Sequence, residues 1–229
     1  MAEAQPLRKG PMVKICGITN PEDAQHAASL GADLLGMIMW PKAKRAVSAE
    51  TARSIAAAAR AAGARAVGVF VDEDAATISA RCREAHITVA QLHGDGARSA
   101  LPDLDPSLEV VYVLQCAPDG TPRTPPPSQL LEGLGRAGGR RPDWLLLDGV
   151  QGGSGQALDW RRLTVPAGEA VRGWLLAGGL QPGNVAEAAQ LARPAGVDVS
   201  SGVCGPDGLK KDPAKVSAFI QAARGVSYQ

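Results

Sequence analysis

Short apolar runs alternate with helix-like stretches along almost the whole chain. The runs are nearly continuous in their apolar character, which is typical of parallel strands buried on both faces. The stretches between them open with helix-start signals, for example Pro21-Glu22-Asp23 and Ser48 with Glu50 close behind. The pattern predicts eight strand–helix units, with strands at 12–16, 32–39, 66–71, 88–92, 109–115, 144–147, 173–177 and 197–200.

Eight strands alternating with eight helices predict an α/β fold, a single (βα)8 TIM barrel with a parallel eight-stranded core. An open doubly wound sheet would also explain the alternation, but no G-x-G-x-x-G follows the first strand. The length of 229 residues suits a barrel that forms one domain. We therefore expect residues 12–229 to form the barrel and residues 1–11 to be a disordered N-terminal lead.

One irregular segment, 117–127, interrupts the alternation and is rich in Pro and Gly. It could be a linker between two domains, but each flank alone has too few strands to close a core. We therefore interpret it as a disordered insert within one domain, and its sequence indicates no function.

The amino-acid composition limits the kinds of molecule that this protein is expected to bind. The formal net charge of +1 gives no overall field that would attract nucleic acid or an anionic membrane, and 3% aromatic residues argue against base stacking. The cysteines, Cys16, Cys82, Cys116 and Cys204, form no C-x-x-C pair and have no zinc-site spacing. We expect reduced thiols in an intracellular compartment, no nucleic-acid or membrane partner, and a monomer rather than an oligomer.

The site of a parallel barrel lies at the carboxyl ends of its strands. Each polar residue there also has a purely structural interpretation, since a Cys can pack as a small hydrophobe and an Asp can cap the next helix. For His93 we favour a hydrogen-bonded structural histidine over a functional one, whereas Arg45 suits a bidentate contact with carboxylate or phosphate. The candidates from strand ends are Cys16, Arg45, Asp72, His93, Asp148, Gly178, Gly179, Asp198, Ser200 and Ser201.

The last two strands each run into a glycine turn, at Ala177-Gly178-Gly179-Leu180 and at Ser200-Ser201-Gly202. Two such turns side by side would form a cup of backbone N–H groups suited to a phosphate. With one thiol, one carboxylate and no metal or nucleotide motif, the pattern predicts cofactor-free proton transfer on a sugar phosphate, most simply an isomerisation.

The loop 149–156 contains Gly152-Gly153-Ser154-Gly155 but no G-x-S-x-G elbow between a strand and a helix. We therefore expect a flexible loop that covers a ligand, and Ser154 is not expected to be a nucleophile.

Seven motifs, in order from about residue 12 to 224, resemble the phosphoribosylanthranilate isomerase family. They are Val13-Lys14-Ile15-Cys16-Gly17-Ile18-Thr19, Pro41-Lys42-Ala43-Lys44-Arg45, Val67-Gly68-Val69-Phe70, Gln91-Leu92-His93-Gly94, Leu146-Leu147-Asp148 with Gly152-Gly153-Ser154-Gly155, Ala177-Gly178-Gly179-Leu180 and Val197-Asp198-Val199-Ser200-Ser201-Gly202-Val203.

The resemblance implies an Amadori rearrangement in tryptophan biosynthesis, without cofactor or metal. It converts N-(5-phosphoribosyl)anthranilate to 1-(2-carboxyphenylamino)-1-deoxyribulose 5-phosphate. By position, it implies that Cys16 is the general base and Asp148 the general acid. Substrate contacts are implied for Arg45, His93 and Asp198, with Arg45 at the anthranilate carboxylate. Phosphate contacts are implied for Gly178, Gly179, Ser200, Ser201 and Gly202.

Two departures from the family pattern concern the pocket. Met37-Ile38-Met39-Trp40 replaces the usual aromatic run, and Gln156 stands where a Lys is common. The stretch 203–212 looks more like plant or algal members, which makes a plastid stroma an alternative to the cytoplasm.

Two other functions are compatible with a barrel of this kind. A catalytically silent barrel that binds a phosphorylated metabolite would not need both Cys16 and Asp148. Another phosphosugar isomerase or epimerase would need further ligands if it depended on a metal, and His93 is the only histidine at a predicted strand end.

Overall fold

The computed structural model describes residues 10–149 and 158–228. Eight parallel strands pair in chain order, and β8 also pairs with β1, so the sheet closes into a barrel. The strands are β1 (Met12–Ile15), β2 (Leu34–Ile38), β3 (Arg65–Phe70), β4 (Val89–Leu92), β5 (Glu109–Cys116), β6 (Trp144–Gly149), β7 (Gly173–Leu176) and β8 (Gly196–Val199). The predicted α/β barrel with a parallel eight-stranded core is confirmed.

The described residues form seven α-helices, where the alternation predicts eight. They are α1 (Pro21–Ser29), α2 (Ala49–Ala61), α3 (Ala75–Glu84), α4 (Asp95–Ser99), α5 (Pro127–Gly133), α6 (Val185–Ala192) and α7 (Pro213–Arg224). Between β6 and β7, residues 158–172 contain turns and bends but no helix, and 150–157 lie outside the described residues. The expectation of eight helices is therefore wrong for the described part of this connection, in which Pro166 and Gly168 interrupt the segment.

Helix starts follow the capping signals in the sequence. The side chains of Asn20, Ser48, Asp74 and Asp212 each accept a hydrogen bond from a backbone N–H in the first turn of the helix that follows. These caps fix where the chain turns from each strand end into its helix, and so they shape the loops at the carboxyl end of the barrel. None of the described helices is both long and apolar enough to span a membrane.

Apolar side chains form one layer inside the barrel and another between strands and helices. Successive residues of a strand point to opposite faces, so alternate positions fill the interior. The interior cluster consists of Leu34, Val67, Val89, Val111, Val113, Trp144, Leu146, Leu175 and Ala177. The same alternation continues towards the carboxyl ends with polar residues, since Lys14, Gln91 and Asp198 are all buried.

The two segments expected to be disordered contain ordered residues. Of the lead, 1–9 lie outside the described residues, whereas Pro11 is buried and its carbonyl oxygen accepts a hydrogen bond from Arg224. The insert is an ordered turn, because Ala117 N–H donates to Thr121 and Arg123 N–H donates to the backbone of Gln115. The expectation of disorder was wrong for the insert because these backbone hydrogen bonds extend from the end of β5.

Candidate active site

Cys16 directly follows β1 and is 7% exposed. Its N–H donates to Val199 O of β8 at 2.8 Å, so barrel closure sets its position. A Cβ at Gly36 of the neighbouring β2 would lie only 2.7 Å from Cys16 Sγ. The thiol therefore fits in this position because residue 36 is a glycine. Burial raises the pKa of the Cys16 thiol, while the positive charges of Lys14 and Lys211 act to lower it and the negative charge of Asp198 to raise it.

Asp148 lies near the end of β6, and one carboxylate oxygen accepts a hydrogen bond of 2.8 Å from the N–H of Gly149. Burial raises the pKa of Asp148 to about 6, and the negative charge of Asp198 adds to this effect. The Gly149 hydrogen bond and the positive charge of Lys14 act in the opposite direction. A carboxyl group in this environment can hold a proton near neutral pH, as a general acid requires.

A buried ion pair, formed by Lys14 and Asp198, acts electrostatically on both Cys16 and Asp148. Lys14 Nζ is 2.9 Å from Asp198 Oδ1, and the two side chains are 0% and 9% exposed. The residues are direct register partners on β1 and β8. Asp198 is a predicted site residue, whereas sequence reasoning assigned no role to Lys14. Its position two residues before Cys16 in a strand is the signal that could have found it, since such residues share a face.

Two glycine turns follow β7 and β8 at the same end of the barrel. Gly178 and Gly179 have φ of +81° and +68°, a left-handed conformation that glycine adopts without strain. After β8, residues Ser201–Val203 form a 3-10 turn, whose first N–H groups have no partner within the turn. A cavity between the turns is lined by Asp148, Ala177, Gly178, Gly179, Leu180, Asp198, Val199, Ser200, Ser201 and Gly202.

Arg45 reaches from the loop after β2 to the turn after β8. Its Nη2 donates to Ser200 Oγ at 3.0 Å and its Nη1 donates to Gly208 O at 3.2 Å. Ser200 Oγ in turn donates to Cys16 O at 3.1 Å. Buried Lys211, which sequence reasoning missed, donates to the carbonyl oxygens of Cys16 and Ser200 at 2.6 and 3.0 Å. Cys16, Arg45 and the β8 turn are therefore joined in one network.

His93 follows β4 and is half-buried. Burial lowers the pKa of His93 to about 4, and the positive charges of Arg98 and Lys14 lower it further against the opposite effect of Asp198. The ring is therefore neutral at pH 7. The carbonyl oxygens of His93 and Val113 accept hydrogen bonds from buried Arg98, another residue that sequence reasoning missed.

The structure thus brings most of the predicted site residues together, but Asp72 lies apart and His93 is linked to the others only through the charges of Lys14 and Asp198. Asp148, Asp198 and the five predicted phosphate-binding residues line one cavity. Cys16 and Arg45 are joined to it through Ser200. Asp72 accepts a hydrogen bond from Trp40 in the loop after β2 and is not part of this network. Within residues 10–149 and 158–228, no cluster of His, Cys, Asp or Glu is suited to hold a metal ion. Ser154 and Gln156 lie outside the described residues.

A closed parallel eight-stranded barrel with a carboxyl group and a thiol at the carboxyl ends of its strands has the architecture of a (βα)8-barrel enzyme. The family profile of N-(5'-phosphoribosyl)anthranilate (PRA) isomerase matches residues 13–222. The chain therefore belongs to the N-(5'-phosphoribosyl)anthranilate isomerase family.

Individual relatives agree with this assignment. The chloroplastic N-(5'-phosphoribosyl)anthranilate isomerase 1 of Arabidopsis thaliana is 43% identical over 218 residues, which cover 95% of this chain and 76% of the relative. The crystal structure of phosphoribosyl anthranilate isomerase from Thermotoga maritima is 34% identical, with a TM-score of 0.75 over 94% of this chain and 100% of that one. A second solved structure is 30% identical, with a TM-score of 0.69 and the same coverage. It is a complex with reduced 1-(o-carboxyphenylamino)-1-deoxyribulose 5-phosphate.

Proposed function

We propose that Cys16 and Asp148 are the general base and the general acid of the isomerisation that this chain carries out in tryptophan biosynthesis. The substrate is N-(5'-phosphoribosyl)anthranilate and the product is 1-(2-carboxyphenylamino)-1-deoxyribulose 5-phosphate. The observation that carries the proposal is a buried thiol and a half-buried carboxyl group that both lie in the field of the Lys14–Asp198 ion pair at the open end of the barrel.

The reaction needs an acid first. Asp148 gives its proton to the ring oxygen of the ribose while the bond from that oxygen to C1 breaks, and the electron pair of the anthranilate nitrogen forms the C1=N bond of an iminium ion. Burial supports this role because it keeps the pKa of Asp148 at about 6, well above that of an exposed aspartate.

The base acts on the iminium ion. The positive charge of this ion acidifies the C2 hydrogen, so the Cys16 thiolate removes this proton. The C2–H electron pair then forms the C1=C2 bond of an enol-amine, and the C1=N pair returns to nitrogen. In the last step the C2 hydroxyl loses its proton, its O–H electron pair forms the C2=O bond, and the C1=C2 pair takes up a proton at C1. Atoms balance over the whole reaction, since the substrate and product are isomers.

Substrate binding is assigned to the surrounding residues. We propose that the turns at Gly178-Gly179 and Ser200-Ser201-Gly202 hold the phosphate through backbone N–H groups, and that Arg45 holds the anthranilate carboxylate. The guanidinium group of Arg45 donates to Ser200 Oγ, and this hydroxyl donates in turn to Cys16 O. Asp198 and neutral His93 are then placed to contact the sugar. The chemistry assigned to these residues requires neither a cofactor nor a metal ion.

For its surroundings we propose an intracellular monomer, in the cytoplasm or in a plastid stroma. All four cysteines are free thiols, which suits a reducing compartment. The relatives include a chloroplastic plant protein and one from Thermotoga maritima. Large exposed hydrophobic residues in the described ranges come from separate segments, at Leu134, Val171, Leu209 and Tyr228.

Turnover tests the two catalytic roles. Substrate is generated in situ and the loss of its anthranilate fluorescence is followed for wild type, Cys16→Ser and Asp148→Asn. We expect each substitution to lower kcat by at least about 100-fold, since each removes one proton-transfer group. Calorimetric binding of the reduced product analogue should change by less than about threefold, because the phosphate turns are intact.

Two control variants separate these roles from general damage. Cys82→Ala removes a thiol from α3, and Asp103→Asn removes an exposed carboxylate that pairs with Arg136 on the surface. Both should keep wild-type turnover. If Cys16→Ser or Asp148→Asn retained most of its turnover, that role would be wrong. A folded wild type that causes no loss of fluorescence would instead favour a silent metabolite-binding barrel.

A further inference from the structure

Within the described residues, the interior of the barrel holds a fully buried cation close to the proposed base. Lys14 is 0% exposed and its ammonium nitrogen lies 2.9 Å from Asp198 Oδ1. The two residues are 184 positions apart in the chain and meet only because β1 pairs with β8. Burial of such a pair is costly unless its geometry is good, so it is weak evidence for a purely stabilising role.

Lys14 also lies beside Cys16. The two residues are i and i+2 of one extended segment and therefore share a face. A Cβ at Gly36 on the next strand would be 2.7 Å from Cys16 Sγ and 3.2 Å from Lys14 Nζ. Both atoms thus lie over the same glycine. The ammonium group therefore has the Cys16 thiol and the Asp198 carboxylate as neighbours.

The charges around the thiol compete. Burial of Cys16 opposes formation of the thiolate, and so does the negative charge of Asp198. The positive charges of Lys14 and Lys211 favour it, Lys14 more strongly. The groups in the field of Lys14 itself are Cys16, His93, Asp148 and Asp198. Burial alone would lower the pKa of Lys14, but the negative charges of Asp198 and Cys16 outweigh it and raise the pKa, so the amine stays charged at neutral pH.

We propose that Lys14 is a positioning residue for the isomerisation, whose ammonium group fixes the Asp198 carboxylate and supplies the charge beside which Cys16 ionises. The inference rests on the proposed role of Cys16 as base. When the thiol ionises, its proton leaves to solvent and the thiolate stays paired with the lysine, ready to accept the C2 proton. Without Lys14, the thiol would face the unpaired charge of Asp198.

Alkylation of Cys16 by iodoacetamide reports the thiolate directly and requires no turnover. The rate at Cys16 is followed by mass spectrometry across pH for wild type, Lys14→Met, Lys14→Arg and Lys210→Met. We expect Lys14→Met to need a pH about one unit higher than wild type for the same alkylation rate. At a fixed pH its alkylation rate is therefore about tenfold lower. Lys14→Arg should recover most of that loss, and Lys210→Met, which removes an exposed lysine, should match wild type.

Turnover gives the second measurement. We expect kcat of Lys14→Met to fall at least about tenfold near pH 7 and to approach wild type as the pH rises, with a smaller change in KM. A purely structural role would lower activity equally at every pH. An alkylation curve of folded Lys14→Met that overlays the wild-type curve would overturn the proposal.

If Lys14→Met does not fold, the comparison moves to Asp198→Asn and the double variant Lys14→Met/Asp198→Asn, in which no buried charge of the pair remains alone. The double variant should need a higher pH than Asp198→Asn for the same rate of Cys16 alkylation. Equal alkylation curves for these two variants would overturn the proposal. Because alkylation is measured without substrate, it decides the role of Lys14 even if wild-type turnover were absent and the proposed function had failed.

Discussion

Burial raises the pKa of both Cys16 and Asp148, but the effect favours catalysis at Asp148 and opposes it at Cys16. It raises the pKa of both groups, because each has an anionic conjugate base that is poorly solvated in the barrel. A raised pKa helps Asp148 to act as an acid but works against ionisation of Cys16. The lysines near Cys16 offset part of that effect, so the thiol needs its cationic neighbours more than the carboxyl group does.

These directions predict the pH profile of the enzyme. The productive form has Asp148 protonated and Cys16 ionised. Because the pKa of Asp148 is about 6 and that of Cys16 lies higher, this form is a constant minority between the two values. We predict that kcat/KM is level above about pH 6, falls about tenfold per pH unit below it, and falls again above the pKa of Cys16.

The substrate phosphate also titrates near pH 6, so the acid limb needs a control. Binding of the reduced product analogue is measured over the same pH range as kcat/KM. If the affinity for the analogue stays constant while kcat/KM falls, the loss of activity below pH 6 comes from a group on the enzyme and not from the substrate phosphate. A profile with no loss below pH 6 would contradict the assignment of Asp148 as acid.

At the scale of elements, the turns after β7 and β8 work as a pair. Gly202 packs so closely on the carbonyl oxygen of Leu180 that a Cβ at Gly202 would collide with it. Gly178 has its left-handed φ beside the backbone of Gly149, where a Cβ would lie 3.0 Å from the nitrogen. Glycine therefore lets the two turns approach each other and the end of β6, which shapes the cavity.

Gly202→Ala should separate these turns. We predict that KM rises about 10- to 100-fold, as expected when about 1.5–3 kcal/mol of charge-assisted hydrogen bonding is lost, with a smaller effect on kcat. Inhibition by inorganic phosphate should weaken in parallel. Gly183→Ala is the matched control, since a Cβ there meets nothing within 4 Å. Unchanged KM and phosphate inhibition in Gly202→Ala would remove this turn from the phosphate site.

At the scale of the whole molecule, ionisation of Asp148 in the site lowers the stability of the folded protein. Asp148 has a folded-state pKa of about 6 against an ordinary value of 3.8. A raised pKa favours the folded state while the group is protonated, and this contribution is lost as the pH rises from about 4 through about 6. The ionised, poorly solvated Asp148 carboxylate therefore destabilises the barrel at neutral pH.

Asp148→Asn should remove this pH dependence. A shift of about two pKa units corresponds to on the order of 3 kcal/mol, so we predict that the variant is more stable than wild type at pH 7 by up to about that amount. At pH 4 the difference should be much smaller, because Asp148 is then protonated. Urea unfolding at both pH values measures it. A variant with the same stability relative to wild type at both pH values would contradict the raised pKa.

Much of the molecule follows from local patterns in the sequence. Strands in a parallel barrel are buried on both faces, so each appears as an apolar run whose position needs no knowledge of its neighbours. Their carboxyl ends converge in every such barrel, which is why Cys16, Asp148 and the glycine turns could be predicted as one site. The order of seven motifs was sufficient to identify the family. The disorder expected at 117–127 was wrong, since its order depends on hydrogen bonds to the end of β5. The helix expected between β6 and β7 is absent from the described residues 158–172.

Other properties arise only when the barrel closes. The sequence indicates Asp198 as a site residue but gives no role to Lys14, and only the pairing of β1 with β8 buries the two together. Their charges then act on both Cys16 and Asp148. The same closure brings Lys211 and Arg45 to the turn after β8. Residue types and spacing indicate which groups can carry charge, whereas burial and distance set their pKa values, because solvation and Coulomb energies depend on position in space.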